Sequence, residues 1–343
     1  MIARLVDLLH EVELPLRLTT DGVPAEPLKV VDLQDAGSEV DEAQLAAHLG
    51  LRPQVIVGVL PDDPSPNALR LARACTVALT RSPLDAAQAV TVRDLDDAVA
   101  TLSSQVSAAP VAAISLHQLL CVQEHLPVAQ ALMAESAMYS TLLAGAEFAR
   151  WRAARPVRRA PETAEVVSVH REEDLLQIVL QRPARRNAYN RMMRDGLVDA
   201  LTTATVDASL DVMLTGAGPD FCAGGDLDEF GSATDVSVAH LLRTGRSAGW
   251  LLHRLRERTA VRLHGHCIGA GIELPAFAGR VIAEACTAIR LPEVAMGLVP
   301  GAGGTVSIVR RIGRWRTAWL ALSGQVVSAG LALDWGLVDE VEE

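Results

Sequence analysis

The 343-residue chain contains a single lysine, Lys29, although Lys and Arg together number 31. A Schiff-base lysine in the C-terminal half and a GK[ST] phosphate loop are thereby excluded. Aromatic residues make up only 3% while half of the chain is hydrophobic, so its core must be built from Ala, Val, Leu and Ile. No window offers 18 uninterrupted apolar residues, which removes a spanning helix and predicts no membrane partner. The opening MIARLVD meets charge too early for a secretory signal, and the expectation is a cytoplasmic protein. Cysteine is scarce. Cys75, Cys121, Cys222, Cys267 and Cys286 form an odd set without CxxC spacing, which fits reduced, mostly buried thiols and not a disulfide framework. Basic excess is absent too: the net charge of −11 argues against a nucleic-acid partner. What remains is a folded chain long enough for two domains.

The sharpest break in composition is at residues 152–161, RAARPVRRAP, where two prolines and four arginines make a poor helix interior. A boundary there divides the chain into 1–155 and 162–343. In the first part, residues 29–33 and 55–60 are predicted strands, and residues 94–155 are helical, with Leu95, Val99, Leu102 and Val106 at helical spacing. In the second, residues 166–169 and 175–180 are predicted as paired strands. A helix follows near 189–203, then strands at 212–215, 261–263 and 281–283. Strands alternating with helices imply crossover connections and a mostly parallel sheet, whose reactive loops gather at the carboxyl ends of the strands.

Three glycine-rich turns follow strands in the second part, at 221–227, 264–274 and 291–305. Small residues there let a ligand approach the backbone and leave N–H groups free to donate, and two such groups aimed at one point form an oxyanion hole. The loop at 300–305 reads equally as a phosphate cradle or as a turn before a helix. His264 and His266 could suggest a metal, but no third ligand lies nearby, and strand-end histidines are the simpler reading. Glu273 and Glu293 could be solvated charges. Glu273, however, is flanked by Ile272, Leu274 and the apolar stretch 275–278, and a carboxylate in an apolar wall is suited to proton transfer.

Taken in order, RPxxRNA at 182–188, FCAGGDL at 221–227, HGHCIGAGIEL at 264–274, LPEVAMGLVPGAGGT at 291–305 and ALDWGLVDEV at 332–341 resemble the crotonase (enoyl-CoA hydratase/isomerase) superfamily over about 180 residues. The resemblance implies an α/β fold, a crotonase-like spiral core of ββα units preceded here by an N-terminal α/β plus helical region. It implies a hydratase or dehydratase acting on an acyl-CoA thioester, with coenzyme A as part of the substrate and no separate cofactor or metal. The main-chain donors would be Gly225 and Ala270, where alanine stands in place of the usual glycine. The carboxylates sharing one water would be Glu273 and Glu293. Coenzyme A would lie along Arg186, Ala188, Ala223, Gly225, Asp226 and Leu227. An enoyl-CoA isomerase, a cofactor-independent CoA-thioester dioxygenase and a non-catalytic partner subunit are the competing readings, and retention of both glutamates favours hydration. A homo-oligomer, trimer or hexamer, is the family expectation.

In the family a helical module follows the last of these motifs. Here residues 94–155 resemble that module, and residues 84–92 echo 333–341. The expectation is that the N-terminal part is a reduced, inactive crotonase-like copy supplying those helices. An unrelated N-terminal helical domain is the alternative.

Overall fold

In the computed structural model, residues 3–4, 16–34, 45, 49–50, 52–156 and 165–343 are described. Part of the predicted boundary, residues 157–161, lies outside them.

The C-terminal part is organised on a six-stranded sheet. It contains β6 (Val167–Glu172), β7 (Leu175–Leu180), β8 (Asp211–Gly216), β9 (Thr259–Leu263), β11 (Arg280–Glu284) and β14 (Glu340–Glu342), in the order β14-β11-β9-β8-β7-β6. Only the β6–β7 hairpin is antiparallel. The predicted strands all form: β6 starts one residue late, at Val167, and runs three residues further, β7 coincides with its apolar run, and β8, β9 and β11 are one or two residues longer at an end. A second, three-stranded sheet carries β10 (His266–Ile268), β12 (Ala288–Arg290) and β13 (Val327–Ser328).

Between β7 and β8, helix α6 (Arg191–Val206) buries Met193, Leu197, Ala200, Leu201 and Ala204, the one-sided spacing of an amphipathic helix. The Asn190 side chain caps its start by accepting from Met193 N at 2.9 Å. Helices α7 (Val236–Gly245) and α8 (Ala248–Arg254) lie between β8 and β9, and the short α9 (Ala270–Glu273) follows β10. The long α10 (Gly304–Ser323) is broken at Gly313, whose φ of +79° leaves the helical region, and α11 (Ala329–Trp335) precedes β14.

The N-terminal part holds its own parallel sheet, in sequence order: β1 (Ala3–Arg4), β2 (Leu28–Asp32), β3 (Val55–Val59), β4 (Val77–Thr80) and β5 (Ala89–Thr91), with α1 (Pro66–Ala72) between β3 and β4. Strands β4 and β5 were not legible in the sequence. Every residue of β4 is buried, so it lacks the period-two alternation of a half-exposed strand, and β5 has three residues. Val55 and Val57 face a core shared with the C-terminal sheet, while Ile56 faces a smaller cluster on the opposite side.

The helical stretch resolves into α2 (Leu95–Ala108), α3 (Pro110–Gln123), α4 (Val128–Leu143) and α5 (Ala146–Ala153). Pro110 starts α3 at the position where a missing N–H costs nothing. Ala109 offers no capping side chain, and the distant Glu147 caps α3 instead, accepting from Val111 N at 2.8 Å and Ala112 N at 3.0 Å. No single helix among the described residues is long and apolar enough to cross a membrane. The helices pack directly on the C-terminal part in one continuous apolar core. Arg314, buried in the second half of α10, donates to Cys75 O at 3.2 Å and to Arg73 O, and pairs with Glu124 at 3.3 Å. The two parts therefore share polar ties as well as hydrophobic contact.

Candidate active site

Strand β10 runs into a tight turn that ends at Gly269, with φ +51° and ψ −120°, a conformation open to glycine and costly for other residues. Gly269 N donates to Arg290 O at 2.9 Å, and its carbonyl receives Ile272 N and Glu273 N at 2.8 and 2.9 Å. Ala270 N, at the first position of α9, stands outside that ladder. The alanine at 270 is accommodated because the positive φ falls on Gly269 and not on Ala270.

On the neighbouring loop, Tyr189 and Gly225 form a parallel bridge. Tyr189 N donates to Gly224 O at 2.8 Å and Tyr189 O accepts from Asp226 N at 2.9 Å. These bonds go to the residues on either side of Gly225, so its own N–H faces away from Tyr189. Neither the Gly225 nor the Ala270 amide donates to another described residue. Both residues line one cavity of about 620 Å³, together with Glu273 and Glu293.

Glu273 is 2% exposed, and its Oε2 accepts from Ala302 N at 2.7 Å and Gly304 N at 2.9 Å. Burial lifts its pKa to about 7, and the amide donors limit the rise. Glu293 is also buried, but its Oε2 has no hydrogen-bond partner among the described residues. Burial first, and then repulsion from Glu273, push its pKa well above the carboxylate range. The two carboxylates converge over Gly269. A Cβ placed on that glycine would lie 2.4 Å from Glu293 Oε1 and 3.7 Å from Glu273 Oε1.

A third carboxylate reaches the same loop from the N-terminal part. Glu135 on α4, 2% exposed, accepts from Gly303 N at 2.7 Å, Thr305 N at 2.9 Å and Thr305 Oγ1 at 2.6 Å. The amides of residues 302–305 thus alternate between two acids. Ala302 and Gly304 point to Glu273, while Gly303 and Thr305 point to Glu135. Burial, then the charge of Glu273, raise the Glu135 pKa to about 8. Nothing in the sequence analysis singled out Glu135. Its signal was a lone acid in the small and apolar run ALMAESAM.

Of the residues expected along coenzyme A, Gly225 and Asp226 line the cavity, whereas Arg186, Ala188, Ala223 and Leu227 do not. The Asp226 carboxylate is taken by Arg182 at 3.0 Å and Arg185 at 3.1 Å, and Arg185 also meets Asp228 at 2.5 Å. Arg182 further donates to Ala188 O. Arg186 lies on Asp220 at 2.6 Å and on His266 Nδ1 at 2.8 Å. These side chains join the loops 182–188 and 220–228 to each other. His264 Nε2 meets Gly218 O at 3.0 Å, and no cluster of three or more His, Cys, Asp or Glu suited to a metal occurs among the described residues.

The enoyl-CoA hydratase/isomerase family model matches residues 170–342. The chain is 34% identical over 175 residues to 2,3-dehydroadipyl-CoA hydratase of Escherichia coli K12, covering 50% of this chain and 68% of that one. It is 34% identical over 174 residues to the enoyl-CoA isomerase/hydratase fer4 of Mycosarcoma maydis, covering 48% and 64%. The chain thus spans about two thirds of the length of these curated relatives. The crystal structure of enoyl-CoA hydratase from Thermoplasma volcanium aligns at 32% identity with a TM-score of 0.48, over 52% of this chain and 71% of that one. With its family motifs spanning half of the sequence, and three of them, at 221–227, 264–274 and 291–305, meeting at one cavity, the chain belongs to the enoyl-CoA hydratase/isomerase family of enzymes.

Proposed function

We propose that the protein adds water across the double bond of a 2-enoyl-CoA thioester, or removes it in reverse. The observation that carries this reading is that two unengaged amides, Gly225 and Ala270, and two buried carboxylates, Glu273 and Glu293, line the same cavity. The amides would receive the thioester oxygen as it gains enolate charge, where each fixed donor contributes about 10²–10³ in rate. Glu273, held near neutrality by its loop donors, takes a proton from the shared water as the oxygen attacks Cβ. Glu293, kept protonated by burial beside Glu273, gives its proton to Cα. A proton returning from Glu273 to Glu293 through the next water restores the site. Coenzyme A enters past the 182–188 and 223–227 loops, and the acyl chain extends toward α4 and α7.

The test is loss of enoyl absorbance with trans-2-enoyl-CoAs of several lengths, with oxygen consumption followed in parallel. Hydration without oxygen uptake is expected, and Glu273→Gln and Glu293→Gln should each cut kcat by about 10²-fold or more. Oxygen uptake without hydration, or variants as active as the wild type, would overturn the assignment.

A further inference from the structure

Four arginines line the cavity: Arg191, Arg194, Arg243 and Arg246. Three stand beside acids. Arg191 lies 4.0 Å from Glu229, Arg194 is 2.9 Å from Asp195, and Arg246 is 2.8 Å from Asp195 and 3.0 Å from Asp199. Arg243 differs. It has no carboxylate within 4.0 Å among the described residues, in a protein whose net charge is −11.

Its guanidinium is nevertheless held in place. Nε donates to Ser136 Oγ at 3.1 Å, Nη2 donates to Ser136 O at 3.2 Å and to Ser140 Oγ, and the group stacks on the Tyr139 ring at 4.8 Å. Nη1 donates to no described residue. Tyr139 in turn packs against Gly301, whose hypothetical Cβ would lie 2.5 Å from the ring, in the loop that holds Glu273. Arg243 therefore enters the cavity from the α4–α7 wall, while the loop 182–188 contributes nothing to the lining. The nearby acid, Glu135, is committed to Gly303 and Thr305.

A half-buried cation fixed by neutral donors and acceptors, with Nη1 uncommitted in the wall of a cavity whose other arginines stand beside acids, is arranged to receive an anion. We propose that Arg243 is a specificity residue that binds a carboxylate at the far end of the acyl chain, so that the preferred substrates are enoyl-CoA thioesters of dicarboxylic acids. This rests on the acyl-CoA reading above. The carboxylate would meet Nη1, and its charge would offset the burial of the guanidinium while keeping the tail away from the acids around Glu273. The neighbouring Leu132, Leu143 and Phe230 would cover the methylenes.

The experiment measures kcat/KM for trans-2-enoyl-CoAs ending in a carboxylate, over a series of chain lengths, each against its methyl-terminated counterpart. The wild type should favour the carboxylated member at one or more lengths by about 10- to 100-fold. Arg243→Met should abolish that preference while changing the rate on neutral chains by less than about threefold. Arg243→Lys should restore part of it. Preference for neutral chains at every length, or an equal loss on both series in Arg243→Met, would overturn the proposal and leave Arg243 as a tie between α4 and α7. Should Arg243→Met fail to fold, the wild-type ratio and Arg243→Lys still decide. Hydration of neutral chains without discrimination refutes only the carboxylate site, whereas no hydration of either series refutes the enzymatic reading itself.

Discussion

The clamp from Glu135 to the 303–305 loop gives the most demanding prediction. Glu135→Ala removes three acceptor contacts and leaves Gly303 N, Thr305 N and Thr305 Oγ1 in a site where Thr305 is fully buried. An unsatisfied buried donor costs about 1–3 kcal/mol, while relief from burying Glu135 itself returns part of the sum. The net expectation is a destabilisation of about 3–5 kcal/mol, read from the denaturant midpoint. Activity should fall with it. Because Ala302 and Gly304 alternate with the released amides, their aim at Glu273 Oε2 loosens, and kcat should drop by about 10²-fold in whatever protein remains folded. Thr305→Ala, which deletes one hydroxyl, should cost about 1 kcal/mol and leave kcat within a few-fold. The double variant should show a coupling of about 1 kcal/mol, because the hydroxyl matters only while the carboxylate is present. If Glu135→Ala kept both its midpoint and its kcat, the idea that the N-terminal helices orient the loop beneath Glu273 would be wrong.

Three further outcomes follow from the same geometry. With Glu273 raised to about 7 and Glu293 raised well above the carboxylate range, kcat/KM should rise with pH through about 7 as Glu273 ionises, then fall at higher pH as Glu293 loses its proton; Glu293→Gln should lack the descending limb. Folded-state values of about 8 for Glu135 and about 7 for Glu273, against 4.5 when unfolded, mean that the native state holds more protons in this window. Stability should therefore decline as pH rises from about 4.5 to about 8, and Glu135→Gln should flatten the slope of denaturant midpoint against pH. Gly269→Ala should be inactive, with kcat down by about 10²-fold or more, because its Cβ would fall 2.4 Å from Glu293 Oε1 on a backbone at φ +51°; wild-type turnover by this variant would refute the turn geometry.

The sequence by itself determined what local chemistry can determine. The apolar run at 175–180 marked β7, the spacing of Met193, Leu197, Leu201 and Ala204 gave α6 its buried face, and the glycine runs marked where backbone amides could be left free. Glu273 was readable because its own neighbours are apolar, so the burial that shifts its proton affinity is partly encoded within a few residues of it.

Only the tertiary structure decided the rest. Strand β4 is covered on both faces and therefore carries no periodicity, and β5 is too short to show one. The partners of Arg186, Asp220 and His266, lie far away along the chain and its motif does not reveal them. Glu135 shows locally only as a lone acid in a small and apolar run and Arg243 shows nothing: the first is defined by a loop 168 residues downstream, the second by having no ion-pair partner among the described residues. Proton affinity and unpaired charge depend on everything within a few ångströms, and in a parallel α/β fold those neighbours arrive through crossover connections from distant sequence.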